Sequence, residues 1–272
     1  MVKEDPVHDA SAAPAPLVAQ GVTLGYDRRT VATDLTVAIP EGSFTVIVGP
    51  NACGKSTLLR SLARLLRPTE GAVLLDGRDL RERSPKEVAR RVGLLPQSAT
   101  APEGITVVDL VRRGRYPHQS LLHRWSAADA RAVDLAMERT EVASLAEVPV
   151  DQLSGGQRQR VWAAMALAQE TPLLLLDEPT TYLDVAHQID LLDLFDDLHR
   201  HGSTIVAVLH DLNHAARYAT HLIAMRDGAV VAEGPPGEVV TAELVERVFG
   251  LPCVVIPDPV TGTPLVVPRG RH

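Results

Sequence analysis

The chain has 272 residues, of which 45% are hydrophobic and 22% charged, which is enough apolar material for one large domain or two small ones. Its 27 basic and 34 acidic side chains leave a net charge of −7, without the positive footprint of a dedicated nucleic-acid binder. No apolar run reaches the ~18 residues of a spanning helix, no signal-type stretch stands near the start, and Cys53 and Cys253 make no disulfide framework. The composition is that of a soluble cytoplasmic protein.

Residues 1–15, rich in Ala and Pro, predict a flexible tail, and residues 269–272 a short second one; 16–268 reads as one domain. Apolar stretches at Leu17 to Leu24 and Leu35 to Ile39 predict a small β-rich region. A third, Phe44 to Val48, runs into a Gly-rich loop and then a helical pattern through Leu58, Leu59, Leu62, Leu65 and Leu66. Ser84-Pro85-Lys86-Glu87 is a capping box with Pro at the first helical position. Thr106 with Asp109 and Ser126 with Asp129 repeat the signal, so Pro102 to Leu145 is expected to be mostly helical. Beyond it, Leu173–Leu176 and Ile205–Leu209 are unalternated apolar runs flanking a helix whose Leu191, Leu194, Phe195 and Leu198 share one face. Such strands separated by helices predict a parallel sheet covered on both sides. Asp227-Gly228, between two apolar stretches, predicts a β-hairpin.

Gly49-Pro50-Asn51-Ala52-Cys53-Gly54-Lys55-Ser56 fits G-x-x-x-x-G-K-[ST]. Successive N–H groups must turn inward around phosphate oxygens, which glycines permit, and the helix that begins near Gly54 and runs on through Thr57 turns its positive end to the anion. Lys55 is placed to reach the β/γ phosphates and Ser56 to ligate Mg²⁺. An incidental Gly-rich turn is disfavoured by the strand before the loop and the helix after it. Leu173–Leu176 ends in Asp177-Glu178, which puts a carboxylate at the sheet's carboxyl edge. Asp177 can hold Mg²⁺ through water, and Glu178, on the other side of the strand, can polarise an attacking water. Cys53, between a helix start and the Lys55 ammonium, is expected to react faster than an ordinary thiol, with Cys253 as the ordinary one.

Leu153-Ser154-Gly155-Gly156-Gln157-Arg158-Gln159-Arg160, together with these two motifs, closely resembles the signature of ATP-binding cassette (ABC) ATPases, and the resemblance runs from about Leu17 to Pro268. It implies an α/β fold: a P-loop NTPase core with a mainly parallel sheet, an N-terminal antiparallel β subdomain and a helical subdomain inserted at about 98–160. It implies ATP and Mg²⁺ as cofactors and a head-to-tail dimer with a second copy. In that dimer Ser154, Gly155, Gly156 and Gln157 close on the γ-phosphate held by the other protomer. By the same resemblance Tyr26 stacks on adenine, Gln97 contacts Mg²⁺ and the attacking water, and His210 is the switch histidine that bonds the γ-phosphate. Asp184 closes the loop that crosses the dimer interface, where Tyr182 replaces the usual small residue. The other nine histidines are read as surface or structural groups.

One phosphate loop, no coiled coil and no spanning helix resemble a transporter's energising subunit, peripheral on the cytoplasmic face of the membrane and docked to a separate permease. A substrate-binding protein would reach it only through that permease, and no nucleic acid is expected. Arg113–His118, His187–Leu192 and Asp258–Pro264 resemble the iron-siderophore import ATPases, related to haem and cobalamin importers. The alternative is a non-transport ATP-driven clamp on nucleic acid or protein. Arg112, Arg113 and Arg115 are expected to carry the surface that receives a permease helix, although such a charge run is usually a solvated face.

Overall fold

β1 (Leu17–Tyr26) and β2 (Arg29–Ile39) pair antiparallel, after which β3 (Phe44–Val48) enters the core with every residue buried. These coordinates are a computed structural model, which describes residues 15–27, 29–97, 100–119 and 125–270. After the Gly-rich loop come α1 (Lys55–Leu62), β4 (Glu70–Leu75), β5 (Arg78–Asp79), α2 (Pro85–Ala89) and β6 (Val92–Leu95). The middle holds α3 (Val107–Arg112), α4 (Ala127–Arg139) and α5 (Gly155–Leu167). The last part alternates β7 (Leu173–Asp177), α6 (Val185–Arg200), β8 (Thr204–Val208), α7 (Leu212–Tyr218) and β9 (His221–Arg226). It then closes with β10 (Ala229–Gly234), α8 (Pro236–Val239), α9 (Ala242–Phe249), β11 (Cys253–Pro257) and β12 (Pro264–Pro268).

The central sheet has the order β10-β9-β3-β8-β7-β6, parallel except for β10 at its edge. Side chains alternate across a strand, and here the alternation separates two cores. Phe44, Val46, Leu174, Leu176, Ile205 and Ala207 face α5 and α6, through Val161, Leu191 and Phe195. Ile47, Leu173, Leu175, Val206 and Val208 face α1 and the antiparallel sheet, through Leu58, Leu59 and Leu17. Both faces are covered, and this is why the strands read as unbroken apolar runs. The second sheet, β2-β1-β4-β5, lies over α1.

Several local signals form as written. Capping boxes close at Ser84 and Ser126, while Thr106 accepts a bond from Asp109 N. Asp227 and Gly228 both take positive φ, 50° and 80°, in the tight turn between β9 and β10. The helix after the phosphate loop is shorter than its leucine pattern. It ends at Leu62, Arg64 turns left-handed at φ 62°, and Leu65 is 65% exposed. β4, β5, β6, β11 and β12 carry no strong sequence signal and are found only in the structure.

Arg115 requires a correction. It is 5% exposed, not part of an open basic face. Its Nε donates to Asp129 Oδ1 at 2.8 Å, and its Nη1 donates to Ala168 O and Glu170 Oε2, each at 2.8 Å. One guanidinium thereby ties α4 to the end of α5. Burial pushes Asp129 up, but hydrogen bonds from Arg115 and Ser126 outweigh it and hold the carboxyl below its ordinary value. Arg112 and Arg113 stay at the surface, Arg112 over the Trp125 ring at 5.5 Å.

The β11–β12 hairpin is fastened by a side chain. Val266 N donates to Asn213 Oδ1 at 2.7 Å, and Asn213 Nδ2 donates to Val266 O at 3.3 Å, so an amide on α7 takes the place of a neighbouring strand.

Arg115→Met leaves Asp129 buried without its partner and is expected to lower stability by about 3–5 kcal/mol in urea unfolding. Adding Asp129→Asn should restore much of it. Because Asp129 is held low, its stabilisation is present above the ordinary carboxylate range and fades as pH falls through the lowered value. Wild type should therefore lose in acid an increment that the Arg115→Met variant lacks. A loss under about 1 kcal/mol for Arg115→Met would show that the network is energetically idle.

Candidate active site

β3, β8, β7 and β6 lie side by side and parallel, so their carboxyl ends share one edge of the sheet. Val208 sits opposite both Ile47 and Asp177, and Leu95 opposite Leu176, which keeps the strand ends nearly level. The residues that follow these ends are the Gly49–Ser56 loop, His210, Asp177 with Glu178, and Gln97. Ligands of open α/β sheets bind at such an edge.

The loop is shaped by close approach. A Cβ on Gly49 would stand 2.2 Å from Met225 O, so only glycine lets the chain pass that strand. Gly54, at φ 107°, precedes α1 and offers no side-chain cap, which leaves the helix's first N–H groups open to an anion. Lys55 is buried and its Nζ donates to Gly49 O at 2.8 Å and Pro50 O at 2.9 Å, bridging the mouth of the loop. A 260 Å³ cleft opens over it, lined by Tyr26, Asn51, Ala52, Lys55, Ser56 and Thr57 and bounded by Glu178 and His210.

Two carboxylates divide the remaining groups between them. Ser56 Oγ donates to Asp177 Oδ1 at 2.8 Å, and Arg60 Nε lies 4.0 Å from Oδ2. Burial pushes the Asp177 carboxyl above its ordinary value, despite the pull of Ser56 and Arg60. Glu178 lies past the strand in a left-handed turn, φ 54°, so the turn and not strand alternation sets its direction. Its Oε2 accepts from Gln97 Nε2 at 2.6 Å, and its Oε1 lies 2.7 Å from His210 Nε2. Ser56 and Asp177 are hard oxygen donors that suit Mg²⁺, a cation that takes one or two protein ligands beside phosphate oxygens and water. No group of three His, Cys, Asp or Glu that could cage a metal occurs among the described residues.

Other sequence candidates stand apart from this cleft. Ser154 caps α5 in a box with Gln157, and Gly155 lines a separate 310 Å³ hollow with Gln97 and Tyr182. Asp184 caps α6, accepting from His187 N at 3.0 Å, and is otherwise exposed. Tyr182 is 77% exposed at φ 69°. Two participants escaped sequence reasoning. Arg60 Nη1 donates to Tyr26 OH at 3.3 Å and so links Tyr26 to the Asp177 side of the cleft; its signal was its place one helical turn after Ser56. Gln159, on α5, donates its buried amide to Pro179 O at 2.8 Å, beside Glu178; it stands within the Leu153–Arg160 motif, which did not assign it this contact.

Known proteins resemble the chain over most of its length. The ABC transporter family model matches residues 32–181. The ferric enterobactin transport ATP-binding protein FepC of Escherichia coli (strain K12) is 61% identical, over 94% of this chain and 95% of that one. The iron(3+)-hydroxamate import ATP-binding protein FhuC of Bacillus subtilis (strain 168) is 48% identical, over 89% and 90%. A solved dimeric bacterial ABC transporter cassette superposes with a TM-score of 0.73 at 29% identity, over 80% of this chain and 98% of that one.

Cys53 does not fit the expectation of a reactive thiol. Its side chain is 5% exposed and packs in the core beneath the antiparallel sheet. Burial pushes the thiol up, more than Lys55 and the nearby backbone N–H groups pull it down. Cys253 is also buried and raised, so it is no open control. Maleimide at neutral pH should therefore label both cysteines slowly in the folded protein and fully only after denaturation. Rapid, stoichiometric labelling of Cys53 in the native state would contradict this account.

Proposed function

This chain belongs to the ABC transporter family of ATP-binding proteins, and from that membership we propose that it energises the import of ferric siderophore complexes through a separate membrane permease. It is an ATPase. The cargo reading rests on one observation, the 61% identity over nearly the full length to a ferric enterobactin transport subunit. The mechanism rests on the geometry of the strand edge.

In this reading the open N–H groups from Gly49 to Thr57 hold the phosphates of ATP, and Lys55 exchanges the Gly49 and Pro50 carbonyls for β/γ oxygens. Tyr26 lies against the adenine. Ser56 and Asp177 would hold Mg²⁺, which when bound offsets phosphate charge. The cost of keeping Asp177 charged in a buried place is then met by the cation. Glu178 accepts the proton of the attacking water, Gln97 orients that water, and His210 bonds the γ-phosphate. Glu178 is within bonding distance of both Gln97 and His210, which gathers the base, the water-orienting amide and the γ-phosphate ligand at one point.

Ser154, Gly155, Gly156 and Gln157 serve a second copy. Their distance from the chain's own cleft, and the dimeric state of the solved cassette, support a head-to-tail pair in which Asp184 and Tyr182 meet the partner. For the permease, a 410 Å³ groove between Ile105, Asp109, Arg112, Arg113, Tyr116 and Trp125 offers exposed aromatic and cationic side chains on the helical segment. Among the described residues no helix is long and apolar enough to cross a membrane; the likeness to a transport ATP-binding protein supports a peripheral place on the cytoplasmic face. A substrate-binding protein would act through the permease without touching this chain.

Glu178→Gln keeps the shape but loses the base. Hydrolysis should fall by about 10²–10⁴-fold while ATP binding persists, and gel filtration should show an ATP-held dimer. Turnover near that of wild type would remove Glu178 from the role. For the cargo, vesicles carrying the chain, its permease and the external binding protein should take up a radiolabelled ferric siderophore only with ATP inside. ATP-driven uptake of haem or cobalamin with none of ferric siderophores would overturn that assignment. Crosslinks from Arg112 or Tyr116 to permease cytoplasmic loops test the groove, and crosslinks confined to residues after Gly234 would refute it.

A further inference from the structure

At the end of α1 remote from the phosphate loop, a 360 Å³ cavity opens between that helix, the turn after it and the β4–β5 hairpin. Its polar lining is Ser61, Arg64, Arg67, Asp79 and Arg81, and its apolar wall includes Leu66, Pro68, Val73 and Leu80. We propose that this cavity is a second anion site, distinct from the nucleotide cleft, which takes the phosphate group of a small soluble phosphate monoester.

Two donors in this lining are buried without a partner. Ser61 is 1% exposed and its Oγ makes no hydrogen bond, and Arg64 Nη1 is likewise enclosed and unbonded. Native proteins rarely leave buried donors unmet, and both of these line the same cavity. Arg64 also departs from the simplest choice for its backbone. At φ 62° it occupies the left-handed position after a helix that glycine takes without strain, so its side chain is retained against a local preference.

The charges of the lining define the ligand. Arg81 is committed to Asp79, to whose Oδ2 its Nε donates at 2.8 Å. That bond, with Arg67 nearby, holds the Asp79 carboxyl below its ordinary value, so Arg81 and Asp79 cancel. Arg64 and Arg67 form no ion pair among the described residues, which leaves two positive charges for a dianion. The helix end offers little repulsion: Leu59 O, Arg60 O and Ser61 O already accept from Ala63 N, Leu65 N, Leu66 N and Arg64 N. A hydroxyl and two guanidinium groups suit the separated oxygens of a tetrahedral phosphate better than the two of a carboxylate. The volume exceeds that of bare phosphate, and the apolar wall gives the carbon portion of an ester a place to rest.

The test uses the full chain with its nucleotide cleft filled by Mg²⁺ and a non-hydrolysable ATP analogue. Glycerol 3-phosphate and inorganic phosphate are titrated separately by calorimetry against chloride at matched ionic strength. One saturable site per chain is expected, tighter for the ester. Arg64→Gly, which eases the backbone, should weaken it by about tenfold or more, and Ser61→Ala should weaken it less. Thermal melting reports whether either variant is folded, and ATP hydrolysis should be unchanged in both, which separates this site from the nucleotide cleft. Saturable phosphate with no preference for the ester would keep the anion site and reassign its ligand to free phosphate. No saturable binding of either probe, or equal binding by wild type and the folded Arg64→Gly variant, would overturn the proposal.

Discussion

The hydrogen-bonded ladder that joins β3, β8, β7 and β6 determines where the reacting groups stand. Each strand feeds one loop into the same edge, and the pairing of Val208 with both Ile47 and Asp177 keeps the loops level. A slip of one residue would exchange the two faces of a strand. In β7 it would move Leu174 and Leu176 out of one core and Leu173 and Leu175 out of the other. Two cores therefore enforce a register that the active groups inherit. The contact between Ser56 and Asp177, which are 121 residues apart in sequence, is a result of that register.

Two aspartates show how much a carboxyl depends on its surroundings. Asp129 and Asp177 are both buried, yet one is held down and the other pushed up. Asp129 has a guanidinium at 2.8 Å and a cap serine, so burial costs it little. Asp177 has one hydroxyl and a guanidinium at 4.0 Å, which leave its charge under-compensated. Asp129 is satisfied by the protein, whereas Asp177 is left under-paired, which accords with the metal-holding role proposed for it. Such local inconsistency is expected at functional positions.

Much of the edge was legible in the sequence because its parts are local. The phosphate loop, the apolar run ending in Asp177-Glu178 and the caps at Ser84 and Ser126 each depend on a few adjacent residues, and each forms. What stayed hidden depends on distant neighbours. Cys53 and Arg115 looked open because burial cannot be read from a cysteine in a Gly-rich loop or an arginine in a basic turn; Cys53 shares a core with Leu17 and Met225, and Ala168 and Asp129 bond Arg115, all from elsewhere in the chain. β4 was missed because Glu-Gly-Ala-Val-Leu-Leu shows no polar–apolar alternation although it pairs on both sides, β5 because it has two residues, and β6 because its four residues are too few for a periodic signal. The direction of Glu178 came from a left-handed turn that strand alternation does not describe.

The amide of Asn213 bears on how the carboxyl-terminal end is held to the body. β11 and β12 bond to each other and join neither larger sheet, and a side chain on α7 supplies their backbone link to the body. Cys253 and Val266 also seat the hairpin on the larger core, so it is held by apolar packing and by one amide, and by neither of the sheets. Strain in the hairpin is therefore passed to helices and not to the strands that carry Asp177 and Glu178, with one asparagine at the boundary.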